Sequence, residues 1–181
     1  YSSVEHMGIL ALGTGLGGLA AQGALLHAVC HSLTKCMLFL LAGNILARYH
    51  TFSSYDVRGL RWIMPVTGAL WTAGFLAIAG SPPFGIFVSE FLILKGMLAG
   101  GSYGVAVVYL TALAIIFVGM SVAVLRMVQG NRPADMPQNQ REALLNVLPP
   151  LVLGLAVLTL GLCVPDWLWH FLQRGAALIG G

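Results

Sequence analysis

Apolar stretches separated by short polar or Gly/Pro-rich connections make up most of the chain. Because an α-helix rises 1.5 Å per residue, about 20 apolar residues cross a hydrocarbon core of about 30 Å. The pattern predicts an all-α polytopic membrane protein with about six transmembrane segments. These segments are residues 4–18, 19–47, 65–80, 86–99, 103–128 and 144–164. The first segment is too short to span the membrane comfortably. We expect it to be the remainder of a helix that starts at or before Tyr1.

Residues 80–85, GSPPFG, interrupt the apolar pattern between the third and fourth segments. Proline has no backbone N–H to donate, so this stretch predicts a broken helix at or near membrane depth. Non-helical backbone at that depth is tolerated where it is buried in protein or lines a water-filled cavity. We therefore expect the break to lie against other helices or beside water.

Residues 165–178, PDWLWHFLQRGAAL, mix tryptophan, histidine and arginine with apolar residues, which predicts a helix lying in the membrane interface. We expect residues 1–181 to form a single membrane domain. The chain begins without Met and lacks the basic start and cleavage pattern of a signal peptide, so we expect the C-terminal portion of a longer subunit.

The composition places these helices in lipid. The chain is 58% hydrophobic and 8% charged, whereas soluble domains carry about 25% charged residues. The net charge of +3 comes from a few side chains that cluster in loops, where they determine topology and form no nucleic-acid surface. Three cysteines without CxxC spacing lie in or at the end of apolar runs and are expected to act as small hydrophobes. They are Cys30, Cys36 and Cys163.

Basic residues occur in two loops, 48–61 and 126–141. The loops lie on opposite sides of the membrane if segments 65–80 and 86–99 each cross it. They share a side if those two segments form one broken crossing. Because Lys and Arg concentrate on one side of membrane proteins, the charge pattern favours one broken crossing.

Three basic groups occur at four-residue spacing inside the second segment: His27, His31 and Lys35. This spacing places them on one slowly turning stripe of the helix. Lys35 lies about 18 Å along the axis from either helix end, too far for its side chain of about 6 Å to reach an interface. A central lysine costs about 2.5–3.5 kcal/mol on insertion scales, so Lys35 must face protein or water. It is either a structural ion-pair partner or a protonatable relay group.

The two histidines of the stripe admit several interpretations. His31 lies one turn before Lys35 and can accept and release a proton near neutral pH, while His27 continues the stripe. Their HxxxH spacing suggests zinc, but the metalloprotease motif requires Glu after the first histidine, where Ala28 stands. Haem ligation would need a membrane-depth histidine on a second helix, and none is evident. We therefore predict proton relay with no metal and no cofactor.

Glu90 lies in an apolar surround just after the break and is predicted to bind and release protons or to form an ion pair between helices. Lys95, about 140° further around the helix and nearer its end, is expected to extend toward the interface. Glu5 and His6 lie at the chain start. An interfacial location suits them at least as well as a role in conduction.

Gly13, Gly15 and Gly18 match GxGxxG by letter. The dinucleotide fingerprint needs a preceding strand and an acidic residue about 20 positions later, and this stretch has neither. Close helix packing, or the end of one helix and the start of the next, explains these glycines better.

Three motifs in the first half of the chain resemble a known family. YSSVEHMG, HSLTKCMLFLLAGNI and GSPPFGIFVSEFLIL, in that order, resemble the antiporter-like membrane subunits of respiratory complex I, energy-converting membrane hydrogenases and Mrp-type cation/proton antiporters. The EHMG and HSLTK forms are most similar to the hydrogenase type. The resemblance implies two inverted five-helix repeats, of which this chain is the second plus a final helix. It implies that Lys35 and His31 are the central basic positions of a half-channel and that Glu90 is the ionisable residue of the broken helix.

The resemblance implies a proton-translocating subunit of a redox-driven complex, with other membrane and peripheral subunits and the lipid bilayer as partners. The chain has no catalytic or redox site of its own, so we expect the energy to come from its partners. A hydrogenase complex is the first expectation and complex I the second. A non-conducting scaffold and a cation/proton antiporter subunit remain alternatives. A prokaryotic plasma membrane is the expected location.

Overall fold

The computed structural model describes residues 2–131 and 142–179, which contain helices and their connections and no strand. The helices are α1 (Ser2–Leu16), α2 (Gly18–Tyr49), α3 (Leu60–Ile63), α4 (Pro65–Ile78), α5 (Gly85–Ala99), α6 (Tyr103–Gln129), α7 (Leu144–Leu162) and α8 (Asp166–Ile179). The bounds of the six predicted apolar segments and of the predicted interfacial helix are correct within two residues. The short α3 was not predicted.

Three helices are long and apolar enough to cross a membrane on their own: α2, α6 and α7. The helix α4 has 14 residues and α5 has 15, so each is about 21–23 Å long and shorter than the hydrocarbon core. The all-α membrane fold is confirmed for the described residues. The count of six complete spans is not.

The described parts of the two basic loops lie on the same side of the molecule. The guanidinium of Arg126, at the end of α6, lies 4.1 Å from the ring centroid of Tyr55. Tyr49, Val57 and Val128 also share one apolar cluster. The helices α4 and α5 therefore carry the chain across once, as the charge pattern favours. Residues 132–141 of the second loop lie outside the described residues.

The helix α2 lies at the centre and packs against α1, α4, α5, α7 and α8. Two glycines allow α2 and α5 to approach closely. A Cβ on Gly23 would lie 2.9 Å from Cγ1 of Ile93, and one on Gly96 would lie 2.7 Å from Cβ of Ala20. This small-residue packing is typical of membrane helices, and it aligns α5 antiparallel to α2.

The glycines of the GxGxxG stretch serve helix packing and a helix break. A Cβ on Gly13 would lie 2.8 Å from Cβ of Ala24, so α1 packs closely on α2. Gly17 and Gly18 have φ values of 70° and 50°, which favour glycine, and they separate α1 from α2. The chain reverses there, so residues about ten before the break face residues about ten after it.

The break between α4 and α5 is covered by another helix. A Cβ on Gly161 of α7 would overlap the carbonyl oxygen of Pro83. On its other side the break borders a cavity lined by Gly80, Ser81 and Pro82. The irregular backbone therefore lies against another helix, as expected, and it also borders a cavity.

The last helix, α8, packs one apolar stripe against the start of α2. Leu168, Leu172 and Ala176 are buried, whereas Trp167 and Phe171 are exposed. This amphipathic arrangement fits a helix at the membrane interface. Its location there stays a prediction.

Candidate functional site

Three buried histidines from two helices meet inside the protein. Nδ1 of His6, on α1, lies 2.9 Å from Nε2 of His27, on α2. The ring centroids of His6 and His31 are 4.4 Å apart. All three side chains are buried. The chain reversal at Gly17 produces this cluster, because it places His6 against the stripe predicted on α2.

The structure corrects two expectations about this cluster. An interfacial location for His6 was wrong, because its side chain is 1% exposed and contacts the centre of the stripe. The statement that no second helix brings a histidine to this depth was also wrong, because α1 does. The EHMG motif contains His6, so the residue itself was visible in the sequence. The sequence did not predict that α1 would fold back along α2 and bring His6 to His27.

Ser89 of α5 completes the hydrogen bonding of His27. Nδ1 of His27 lies 2.9 Å from Oγ of Ser89, and the same hydroxyl donates to the carbonyl oxygen of Ile86 at 2.6 Å. Ser89 is fully buried. Sequence analysis missed this residue, although it directly precedes Glu90 and lies one helical turn from the break.

Lys35 is half-buried near the middle of α2 and lines a cavity of about 230 Å³ together with Trp71 and Phe75 of α4. The carboxylate of Glu5, on α1, is close enough to Lys35 for the two charges to interact. Lys35 therefore faces protein and a cavity, as its depth in the helix requires. Glu5 lies beside it and away from the position an interfacial residue would take.

Glu90 is buried on α5, and its carboxylate lies against Gly80 in the break. It lines a cavity of about 410 Å³ formed by the break, α5 and α6. Gly80 has φ +64°, and a Cβ at this position would overlap the carboxylate. The carboxylate of Glu90 therefore lies against the broken backbone, and its role in binding and releasing protons stays a prediction.

Tyr109 of α6 lies between the two acidic groups. It lines the Glu90 cavity and also a second cavity of about 370 Å³ that contains Glu5. Its hydroxyl is buried and has no hydrogen-bond partner among the described residues. Sequence analysis missed Tyr109, because one tyrosine in a long apolar helix gives no signal of its own.

Lys95 lies apart from this site. Its side chain is exposed on the last turns of α5, as expected for a lysine that extends toward an interface.

The three histidines are also the group among the described residues that could hold a metal ion, with ligand nitrogens within 4.8 Å of one another. Imidazole suits zinc and copper, but structural zinc sites take four ligands. No thiolate or carboxylate joins this group in the part of the chain that the structure describes. His6 and His27 already hydrogen-bond each other. The absence of metal and cofactor stays a prediction.

The structure is a helical membrane domain with acidic and basic groups at its centre. The chain belongs to the family described as NADH:quinone oxidoreductase/Mrp antiporter, transmembrane region, whose model matches residues 1–117. The resemblance inferred from the sequence motifs is thereby confirmed. The chain is an integral membrane protein.

Two curated relatives show how much of a whole subunit is present. The chain is 47% identical over 100 residues to hydrogenase-4 component F homolog of Methylacidiphilum infernorum, a match covering 55% of this chain and 21% of that protein. It is 36% identical over 143 residues to NAD(P)H-quinone oxidoreductase chain 4 2 of Thermosynechococcus vestitus. That match covers 75% of this chain and 27% of the relative. The matched region is about a quarter of each relative or less.

A solved structure shares the fold. A chain of the Mrp complex from Dietzia sp. DQ12-45-1b matches with a TM-score of 0.85 and 21% sequence identity, over 96% of this chain and 40% of that one. The fold described above is therefore a membrane fold of the Mrp type.

Proposed function

We propose that the chain is part of a proton-translocating subunit of a redox-driven membrane complex, of the hydrogenase type first and the complex I type second. The observation that carries the proposal is the set of buried and half-buried ionisable groups that α1, α2 and α5 bring together, with the Tyr109 hydroxyl of α6 between the acidic members. Lys35, His31, His27 and Glu90 are the proposed relay residues. Glu5 and His6 join them.

The cost of these groups supports a role beyond holding helices together. Ionisable side chains at membrane depth are expensive, and an apolar replacement of similar volume is often at least as stable. Here one small domain buries or half-buries three histidines, a lysine and two glutamates. His6 hydrogen-bonds to His27 and its ring contacts that of His31. Glu5 is close enough to Lys35 and to Glu90 for their charges to interact. Holding the helices together would require fewer ionisable groups than this.

The contacts suggest two connected branches. One consists of the imidazoles of His6 and His27, whose hydrogen-bonded ring nitrogens can exchange a proton, with the ring of His31 in contact with that of His6. The other runs from Lys35 through Glu5 toward Tyr109 and Glu90, across two cavities of about 370 and 410 Å³. The walls of both cavities are mainly apolar, so the waters of such a transfer would have to bind at their few polar side chains, Glu5 and Tyr109 in the first and Ser81, Tyr109 and Glu90 in the second.

Energy for export must come from partner subunits. Moving one charge against 100 mV requires about 2.3 kcal/mol. We expect no redox cofactor in this chain, so a conformational or electrostatic change in a neighbouring subunit would drive each proton step. The relatives hydrogenase-4 component F homolog and NAD(P)H-quinone oxidoreductase chain 4 2 carry names that fit such an assembly.

The test is made in the whole complex with Lys35→Ala and Glu90→Gln. Both variants are expected to assemble, to keep electron transfer and to lose most of the proton export per electron. Lys95→Ala is the matched control, because this lysine is exposed on the same helix as Glu90. Full export in both variants contradicts the relay. Loss of assembly favours the scaffold alternative, and sodium-dependent transport favours cation/proton exchange.

A further inference from the structure

The hydroxyl of Ser89 determines which nitrogen of His27 carries hydrogen. We propose that Ser89 is a positioning residue that holds His27 as the Nδ1–H tautomer and thereby aims its proton-accepting Nε2 at His6. The structural part of this inference rests on the hydrogen bonds alone. Its consequence for transport rests on the proposed function.

The first step follows from the number of hydrogens on Ser89. A serine hydroxyl has one proton to donate and can accept through its lone pairs. That proton goes to the carbonyl oxygen of Ile86, at 2.6 Å. Toward Nδ1 of His27, at 2.9 Å, Oγ must therefore accept, so Nδ1 carries a hydrogen. A neutral imidazole has one N–H, which leaves Nε2 of His27 as an acceptor.

The second step carries this assignment to His6. Nδ1 of His6 lies 2.9 Å from Nε2 of His27, and one of the two nitrogens must donate. Since Nε2 of His27 accepts, Nδ1 of His6 carries the hydrogen and Nε2 of His6 is bare. That Nε2 is buried and has no hydrogen-bond partner among the described residues. It is therefore the open proton acceptor of the pair.

The third step is the proton transfer itself. A proton binds to Nε2 of His6, the Nδ1–H bond of His6 breaks, and an Nε2–H bond forms on His27. His6 is then neutral and His27 is the imidazolium, whose Nδ1–H is still held by Ser89. The net result is one positive charge moved from His6 to His27, with no electron transferred.

The same hydroxyl ends this branch. To pass a proton on, Ser89 would have to protonate the backbone carbonyl of Ile86, which does not act as a base in this range. A proton on His27 therefore returns through Nε2 to His6, so His27 holds a proton within the histidine branch and does not pass it into α5 through Ser89. Glu90, the next residue on α5, must exchange protons by the other branch, past Tyr109.

The tautomer can be read directly by ¹⁵N NMR on the membrane-embedded whole complex with labelled histidine. The His27 signal is identified by its loss in His27→Gln. We expect a Nδ1–H tautomer in the native protein and in Ser89→Thr, which keeps the hydroxyl. In Ser89→Ala, His27 is expected to shift toward the Nε2–H tautomer, because the acceptor at Nδ1 is gone.

Ser32→Ala is the matched control. Its Oγ donates to the carbonyl of Ala28 at 2.7 Å and it lies beside His31 in sequence, but its side chain is exposed. Should Ser89→Ala fail to assemble, Ser89→Cys replaces the hydroxyl with a thiol, a much weaker hydrogen-bond acceptor, with little change in volume. An Nε2–H tautomer of His27 in the native complex, or an unchanged Nδ1–H signal in the hydroxyl-free variant, overturns the assignment.

Proton export separates this inference from the proposed function. Ser89→Ala is expected to lower proton export per electron while electron transfer continues, and Ser89→Thr is expected to retain it. If the tautomer shifts as stated while Lys35→Ala and Glu90→Gln export normally, the relay is wrong and the Ser89 assignment holds. If those two variants lose export but the tautomer is insensitive to Ser89, the relay holds and the assignment is wrong.

Discussion

The carboxylate of Glu90 lies directly against Gly80, so the ionisable group of α5 touches the backbone that interrupts α4 and α5. The two residues are ten positions apart, and the irregular backbone between them lets the carboxylate approach. Any side chain at Gly80 would move the carboxylate and would also be strained, since φ is +64° there.

Gly80→Ala is therefore expected to lower proton export per electron in the assembled complex, in the same direction as Glu90→Gln. The backbone strain adds a stability cost of about 1–2 kcal/mol. Proton release and electron transfer are measured together on the same vesicles. Gly43→Ala is the control, because a Cβ there meets nothing within 4 Å. Normal export in assembled Gly80→Ala would show that the position of the Glu90 carboxylate is unimportant.

Tyr109→Phe removes the hydroxyl between the Glu5 and Glu90 cavities while keeping the ring. We expect a partial loss of proton export, about two- to tenfold, the size expected for one hydrogen-bonding group when water can replace it in part. Initial rates of proton release measure this. Tyr103→Phe, at the exposed start of the same helix, should leave the rate unchanged. Equal rates in both variants would exclude the Tyr109 hydroxyl from the route.

Glu5 and Lys35 should act as a coupled pair. Glu5→Gln and Lys35→Gln are expected to lower export individually, and the double variant should lose less than the product of the two effects, because each single change already removes the shared interaction. The export rates of the four proteins form the cycle. Glu5→Gln combined with Lys95→Gln is the comparison pair. Its effect on the export rate should equal the product of the two single effects. Independent effects at Glu5 and Lys35 would contradict the pairing.

Glu142 ties the start of α7 to the start of α4. Its carboxylate oxygens accept hydrogen bonds at 2.8 Å from the backbone N–H groups of Val66 and Thr67, and the Thr67 hydroxyl also donates to it. An anionic group at a helix N-terminus satisfies donors that the helix leaves unpaired. Glu142→Ala should cost about 1–2 kcal/mol and lower the Tm of the purified complex.

A matched variant separates the cap from the charge. Glu142→Gln keeps one acceptor oxygen, so its Tm should lie between those of the native protein and Glu142→Ala. Export per electron should stay normal in both, because this contact lies at the loop end of α4, away from the buried groups. A Tm that does not change in Glu142→Ala would show that the contact contributes no stability.

The sequence predicts the helices from its hydropathy, the break from its prolines, and the stripe of His27, His31 and Lys35 from their spacing. Each is a local property: apolar length sets which segments enter lipid, proline interrupts a helix, and four-residue spacing places groups on one face. The depth of Lys35 followed from counting residues along one helix. The charge pattern also favoured the single broken crossing.

Which groups meet across helices follows from the packing of the folded chain. His6 joins His27 over a separation of 21 residues, Ser89 joins His27 over 62, and Tyr109 reaches the cavities of both Glu5 and Glu90. Hydropathy reports how a segment partitions between water and lipid, but the rotation of each helix about its axis is set by close packing. Here the contacts of Gly13, Gly23 and Gly96 fix how α1 and α5 lie on α2, and that packing turns one predicted stripe into a cluster.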